Sequence, residues 1–249
     1  MSFKVYIPAR YASTRLPGKL LADLGGKPVI QHTFERAVAS GAAAVVVATD
    51  DERIATVAEA FGAAVVMTAS ELASGSDRVA AAATATDESE TTVIVNLQGD
   101  EPAMPASVIG QVAAAVEAGG IDIATVCEPL EASQVFDPNV VKVTRADNDR
   151  ALYFSRAPIP WDRERFGDPS PTPVLVRYRR HVGIYAYRFS FLKKFVAWSP
   201  TVLEQTEALE QLRALEHGAS IAVPDALEAC GVGIDTPEDL ARARELLGP

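Results

Sequence analysis

The sequence predicts an α/β fold: a doubly wound, mostly parallel sheet with a smaller antiparallel lobe. Three observations predict it. Strand-like and helix-like segments alternate with short connections over the first ~125 residues, which implies parallel strands and right-handed crossovers. The strands there are continuous apolar runs, as expected of strands covered on both faces. After Cys127 the rhythm changes to two short strands separated by Asp147-Asn148-Asp149, a hairpin pattern and hence antiparallel.

The elements follow in order. Phe3 to Ile7 reads as the first strand, and Ile7 to Leu21 as a loop rich in hydroxyls and cations. Gly25-Gly26-Lys27-Pro28 is a turn that places Pro28 at the first position of a helix, with Ile30, Phe34, Ala37 and Val38 on one face and Gly41 as its stop. Ala44 to Ala48 is a buried strand. Thr49-Asp50-Asp51-Glu52 starts a helix that carries Ile54, Val57, Ala58 and Phe61. Ala64 to Met67 is the third strand, and Gly75-Ser76-Asp77-Arg78 opens an alanine-rich helix. Thr92 to Leu97 is the fourth strand and Gln98 to Pro102 a tight loop. Pro105 starts a helix with Ile109, Val112 and Val116 inward, and Ile121 to Val126 is the fifth strand.

Beyond the hairpin, Ala157 to Pro173 is a proline-rich irregular loop, and long ordered loops are more often functional than idle. His181 to Tyr187 is strand-like. Thr201 and Glu204 fit a capping box that starts a helix running to Gly218, with Ala208, Leu212 and Leu215 on one face. Thr236 caps the last helix, with Pro237 at its first position. We read 1–249 as a single α/β domain, divided into a first half at 1–127, a second part at 128–219 and a return to the core at 220–249.

Composition narrows the function. The net charge of −10 leaves no basic surplus for nucleic acid. No apolar run reaches the roughly 18 residues that span a bilayer. The chain enters a strand at once without a leader pattern, and the two cysteines, Cys127 and Cys230, lack CxxC spacing. These features give the expectation of a cytoplasmic protein with free thiols and without a zinc site.

Five groups of residues carry candidate chemistry. Arg10, Arg15 and Lys19, with Ser13 and Thr14, sit after the first strand, where open α/β sheets bind ligands. Guanidinium forks and an ammonium suit a polyanion such as a triphosphate, unless the loop is merely a solvated basic one. Neither GxxxxGK[ST] nor GxGxxG is present, against P-loop NTPases and dinucleotide-binding dehydrogenases. NLQGDEP, Asn96 to Pro102, puts Asp100 past the end of a buried strand, where it could hold Mg²⁺, unless Asp100 or Glu101 merely caps the helix after Pro105. Gln98 is placed to bond a substrate. Asp235 precedes a helix cap, a structural role by itself and a metal ligand if paired with Asp100 across Mg²⁺.

Arg177 to Tyr187 sets His181 and Tyr185 among arginines, fit for an acidic, hydroxyl-rich molecule or for a plain basic strand edge. Glu207 and Gln211 at i,i+4, with Glu210, offer hydrogen bonds to sugar hydroxyls, or only surface charge. His217 complements a helix dipole, and His32 receives no role.

The motifs IPARYASTRLPGKLL, NLQGDEP, ALYFSRAPIPWDR, RHVGIYAYR, LEQLR and GIDTPEDL, in this order, resemble the 3-deoxy-manno-octulosonate cytidylyltransferase (CMP-KDO synthetase) family, from about Phe3 to Leu247. The opening motif is shared with CMP-sialic acid synthetases; the later ones favour the KDO enzyme. The resemblance implies a nucleotide-diphospho-sugar transferase-like fold, with 1–127 binding nucleotide and 128–219 serving sugar binding and dimerisation. It implies transfer of CMP from CTP to KDO, releasing pyrophosphate, for lipopolysaccharide biosynthesis. It further implies Mg²⁺ as cofactor and a homodimer.

By motif, Arg10, Ser13, Arg15 and Lys19 would bind CTP phosphates, with Arg78 helping to hold the nucleotide. Asp100 and Asp235 would ligate Mg²⁺, and with Arg15 and Lys19 form the catalytic set. Gln98, Arg156, Arg163, His181, Tyr185, Glu210 and Gln211 would contact the sugar acid. The chain departs from the family pattern at Leu72, where histidine is common, at Gly75-Ser76 in place of Gly-Thr, and over Ala226 to Cys230. Two other readings stay open: a cytidylyltransferase for another acid sugar, such as sialic acid or an amino-KDO analogue, and a non-catalytic nucleotide-binding protein. A sugar-1-phosphate nucleotidylyltransferase is disfavoured, since the first loop lacks a GxGxR start.

Overall fold

The structure is a computed structural model that describes residues 2–12, 16–163, 166, 178–231 and 233–247. Strand β1 (Phe3–Ala9) lies between β4 (Ala44–Thr49) and β6 (Val93–Leu97), parallel to both, and β5 (Ala64–Met67) extends the sheet beyond β4. Alternation along β1 builds both layers. Val5 and Ile7 face the core shared with α1 (Val29–Ala39), α2 (Glu52–Ala60) and α4 (Ala106–Glu117). Tyr6 faces the opposite core, formed with α3 (Gly75–Ala85), α5 (Phe189–Ala197) and α7 (Gln211–Glu216). A short antiparallel ribbon, β2 (Asp23–Leu24) and β3 (Lys27–Pro28), precedes α1.

The sheet order is β11-β7-β10-β6-β1-β4-β5. The fifth predicted strand, β7 (Ile123–Pro129), therefore does not pair with β6. Strand β10 (Arg179–Arg188) runs between them, antiparallel to each. Strand β11 (Ile221–Ala222) returns parallel to β7, bringing the chain's last part back to the core. The hairpin forms as β8 (Lys142–Arg145) and β9 (Ala151–Ser155). It is not a detached lobe, because Lys142 pairs with Arg180 of β10 and joins the hairpin to the main sheet.

Local expectations mostly survive, with three corrections. Pro28 is the cap of α1 rather than its first residue, and Val38 is exposed while Val29 and Thr33 share the buried face with Ile30 and Ala37. The helix expected from Thr201 to Gly218 is broken into α6 (Val202–Glu207) and α7, with Ala208 left-handed at φ 51°. Glu207 and Gln211 consequently do not share a helical face. Arg156 ends α6: its guanidinium takes the carbonyls of Glu207 (2.7 Å) and Ala208 (3.3 Å) out of any continuing helix. Arg213 then folds α7 against α6 by donating two hydrogen bonds to the Glu204 carboxylate, at 2.8 and 2.5 Å. The final helix, α8 (Pro237–Leu247), starts where Asp239 accepts from the Thr236 N–H, and it packs beside β2. Both cysteines are buried and free. Among the described residues, no helix is long and apolar enough to cross a membrane.

Candidate active site

A cleft of about 370 Å³ opens at the C-terminal ends of β1 and β6, lined by Arg10, Lys19, Ser74, Gly75, Gln98 and Asp100 among others. Parallel strands end together there, so their loops converge. The first loop doubles back because Gly18 adopts φ 69° and its N–H bonds the Tyr11 carbonyl at 3.1 Å. A Cβ at Gly18 would also lie 3.1 Å from the Tyr11 ring, so the turn needs glycine on two counts. The 3₁₀ turn Lys19–Leu21 follows and points Lys19 into the cleft. On the β6 side, Gly99 lets the loop pack closely: its missing Cβ would sit 3.3 Å from Leu20 and from the Pro8 carbonyl. Thr33 anchors the same glycine, donating to its carbonyl at 2.9 Å.

Lys19 is the centre of this cleft. Its ammonium donates to Asp100 and, at 2.8 Å, to Asp235 Oδ1. Burial works against its charge, but Asp100 and then Asp235 outweigh it and hold the pKa above the usual lysine value. Lys19 was expected on phosphate; here it joins the two aspartates expected to bind metal. Asp235 arrives because Ile234 N–H bonds the Asp100 carbonyl at 2.9 Å, docking the GIDTPEDL segment on the NLQGDEP loop. Gly233 permits that docking, as a Cβ there would lie 2.7 Å from the Glu101 carboxyl. Burial, and then the charge of Asp100, push the Glu101 carboxyl up to about 8. Among the described residues, no three His, Cys, Asp or Glu side chains gather as a metal-binding group.

The other nucleotide-side residues divide. Arg10 borders the cleft and donates to the Leu72 carbonyl. Arg78 has no accessible surface in this conformation. Its guanidinium braces the sheet, donating to Thr68 Oγ1 and to Asp50 Oδ2 (2.9 Å). Ser13 and Arg15 lie outside the described residues, as does Arg177.

The sugar-side residues cluster beside the cleft, across the N-terminus of α3. Ser74 and Gly75 line the cleft, while the next residue, Ser76, donates to Glu210 Oε2 at 2.6 Å. Gln98 approaches Gly75 closely and donates to Asn96 at 3.2 Å. Tyr185 donates to Gln211 Oε1 at 3.2 Å. Three buried polar atoms of this cluster, Glu210 Oε1, Gln211 Nε2 and the Tyr187 hydroxyl, make no hydrogen bond among the described residues, although Arg213 lies 3.9 Å from Glu210 Oε1. Buried polar groups ordinarily find partners, so this row of unmet bonds is suited to a polar ligand. Burial raises the Glu210 carboxyl above its ordinary pKa against the pull of Ser76, Ser74 and Arg213.

His181 sits between Phe154 and Tyr185, at ring distances of 4.9 and 5.5 Å, and burial pushes its pKa down to about 3. The guanidinium of Arg156 donates to the backbone carbonyls of Glu207, Ala208 and Pro138 and so holds the α6–α7 corner. Arg163 lies in an exposed turn beyond β9. Glu207 accepts from the Ser155 hydroxyl (2.6 Å) and the Arg156 N–H (2.9 Å), a further brace. His217 ends α7 as expected and also stacks on Trp198 at 4.2 Å. His32 bonds the Leu24 carbonyl.

Sequence reasoning gave no ligand-binding role to Asn96, Ser76, Glu101 or Tyr187. Asn96 carried a signal, being the polar residue inside the apolar run VIVNL, and it is buried.

The fold is that of a cytidylyltransferase: the family model of that name matches residues 5–221. A protein of Thioalkalivibrio sulfidiphilus named 3-deoxy-manno-octulosonate cytidylyltransferase is 56% identical over 99% of this chain and 99% of its own. One of the same name from Pseudomonas fluorescens is 54% identical, covering 99% and 98%. The chain belongs to the 3-deoxy-manno-octulosonate cytidylyltransferase family. Among solved structures, a CMP:2-keto-3-deoxy-manno-octonic acid synthetase complexed with CTP superposes with a TM-score of 0.87 at 39% identity, covering 99% of this chain and 98% of that one. A cytidylyltransferase from Leptospira borgpetersenii, at 17% identity and a TM-score of 0.60 over 98% of this chain and 84% of its own, shares the fold.

Proposed function

We propose that this chain transfers CMP from CTP to 3-deoxy-D-manno-octulosonate (KDO), giving CMP-KDO and pyrophosphate for lipopolysaccharide biosynthesis. The observation that carries the reading is the convergence of Asp100 and Asp235, from two separate loops, on one cationic atom at the floor of a cleft. Two carboxylates that already share a cation suit a hard metal ion, and their oxygen donors suit Mg²⁺. Asp100 and Asp235 would hold it; when bound, the ion supplies charge neutralisation at phosphate and lowers the pKa of a nearby hydroxyl.

The chain's own residues do the rest. Arg10, Ser13, Arg15 and Lys19 bind the triphosphate, Lys19 exchanging its carboxylate partners for phosphate. Gln98, Tyr185, Glu210 and Gln211 orient the acid sugar so that its anomeric hydroxyl lies in line with the α-phosphorus. The new bond joins that oxygen to phosphorus, its O–H proton passes to water, and the bond to pyrophosphate breaks. Arg15 and Lys19 neutralise the charge growing on the leaving group. Catalysis here is positioning and charge stabilisation.

We place the reaction in the cytoplasm, which buried free thiols support. We also infer a homodimer through the open edge of β9, where Leu152 is 63% exposed. Leu152→Asp is expected to leave a monomer in sedimentation; an unchanged mass for that variant removes this edge as the interface.

The function is tested by pyrophosphate release with CTP, Mg²⁺ and a panel of acid sugars. Turnover is expected with KDO. Faster turnover with sialic acid or an amino-KDO analogue reassigns the sugar, and CTP binding without turnover on any of them makes the protein a binding module.

A further inference from the structure

Thr125 of β7 is fully buried, and its hydroxyl oxygen lies 3.0 Å from the Val182 carbonyl and 2.9 Å from His181 Nε2. A hydroxyl has one proton to give. The Val182 oxygen can only accept, and it sits where the β7–β10 register shifts between Val182 and Ala186, a place where ladder bonds are interrupted. The proton of Thr125 therefore goes to Val182, and Nε2 must donate to Thr125. The reverse arrangement would set two oxygens 3.0 Å apart with no proton between them.

It follows that the ring carries its hydrogen on Nε2 and leaves Nδ1 as a bare acceptor. Nδ1 meets no hydrogen-bond partner among the described residues. The ring is neutral at physiological pH, since burial depresses its pKa to about 3. A neutral acceptor does not attract a carboxylate; it takes a hydrogen bond from a hydroxyl.

We propose that Thr125 is a positioning residue that fixes His181 in its Nε2–H tautomer, so that Nδ1 accepts from a hydroxyl of the acid sugar. This rests on the acid-sugar reading of the site, and it divides the labour there: His181 reads a hydroxyl, and the sugar's carboxylate must be met elsewhere by a cation.

The test joins nitrogen NMR of histidine-labelled protein to kinetics. His32→Gln and His217→Gln variants assign the signals. Ligand-free wild type is expected to show His181 protonated at Nε2 alone. Thr125→Val is expected to populate the other tautomer and to raise KM for KDO about tenfold, the loss of one oriented hydrogen bond. KM for CTP should hold, and Thr125→Ser should restore both readouts. Protonation at Nδ1 in wild type overturns the proposal, as does a Thr125→Val tautomer shift with an unchanged KM for KDO. The NMR readout needs no substrate, so it stands apart from any failure of the KDO assignment.

Discussion

Lys19, Asp100 and Asp235, which separate loops bring within hydrogen-bonding reach, are the residues on which the proposed chemistry rests. Replacing either aspartate by asparagine keeps the shape and removes the charge that would hold Mg²⁺. We expect Asp100→Asn and Asp235→Asn each to lower turnover by about a thousandfold or more, as loss of a charge-stabilising group at the reacting centre does, with an unchanged circular dichroism spectrum. Near-normal rates in either variant would remove that residue from the metal site.

Glu101, behind them, makes a pH prediction. Its folded pKa of about 8 lies above its ordinary 4.5, so between those values the folded state holds a proton that the unfolded chain releases. Stability contributed by this group is present below 4.5 and is lost as pH rises to 8, with a slope of at most about 1.4 kcal/mol per pH unit. Thermal melts of Glu101→Gln against wild type should therefore diverge as pH rises from 5 to 8, the variant gaining. Parallel curves count against it. At this scale the sequence was legible in placing Arg10, Lys19 and Asp100 on loops, and all three line the cleft. It was not legible that Arg78 would bond Asp50 and Thr68, or that Arg156 would bond three backbone carbonyls. A guanidinium reads the same in a sequence whether it faces a ligand or a carbonyl.

Among the elements, the corner between α6 and α7 is the most informative. Ala208, Leu212 and Leu215 keep helical spacing, and periodicity alone reads one helix. Tertiary bonds from Arg156 and Arg213 break it, and the break lets Glu210 and Gln211 reach Ser76 and Tyr185. The cost is a left-handed alanine, a conformation that opposes Cβ by about 1–2 kcal/mol. Ala208→Gly removes that strain while loosening the unfolded chain, for an expected net gain of about 0.5–1 kcal/mol in urea denaturation. A loss of stability would mean that the alanine methyl is needed where it lies. Other elements needed no such help. Asp51 before α2 and Ser74 before α3 cap as their residue types predict, because capping is decided within four residues.

For the whole molecule, the N-terminus of α3 has the cleft on one side and Glu210 on the other. A ligand that fills the cleft should stabilise the fold as a unit. CTP at a hundred times its Kd is expected to add about 2.7 kcal/mol, read as a rise in Tm, and Mg²⁺ should enlarge the rise. No shift with CTP, with or without Mg²⁺, would contradict a nucleotide site in this cleft. The sequence by itself determined the strand–helix alternation, the loop chemistry after β1 and β6, the helix caps and the hairpin, since each depends on neighbours a few residues apart. Only the tertiary structure decided that β10 enters between β6 and β7, that the long helix breaks at Ala208, and that Lys19 lies against an aspartate 216 positions away. Those outcomes depend on which strand edges, carbonyls and charges are satisfied when distant segments pack together, and no local pattern carries that information.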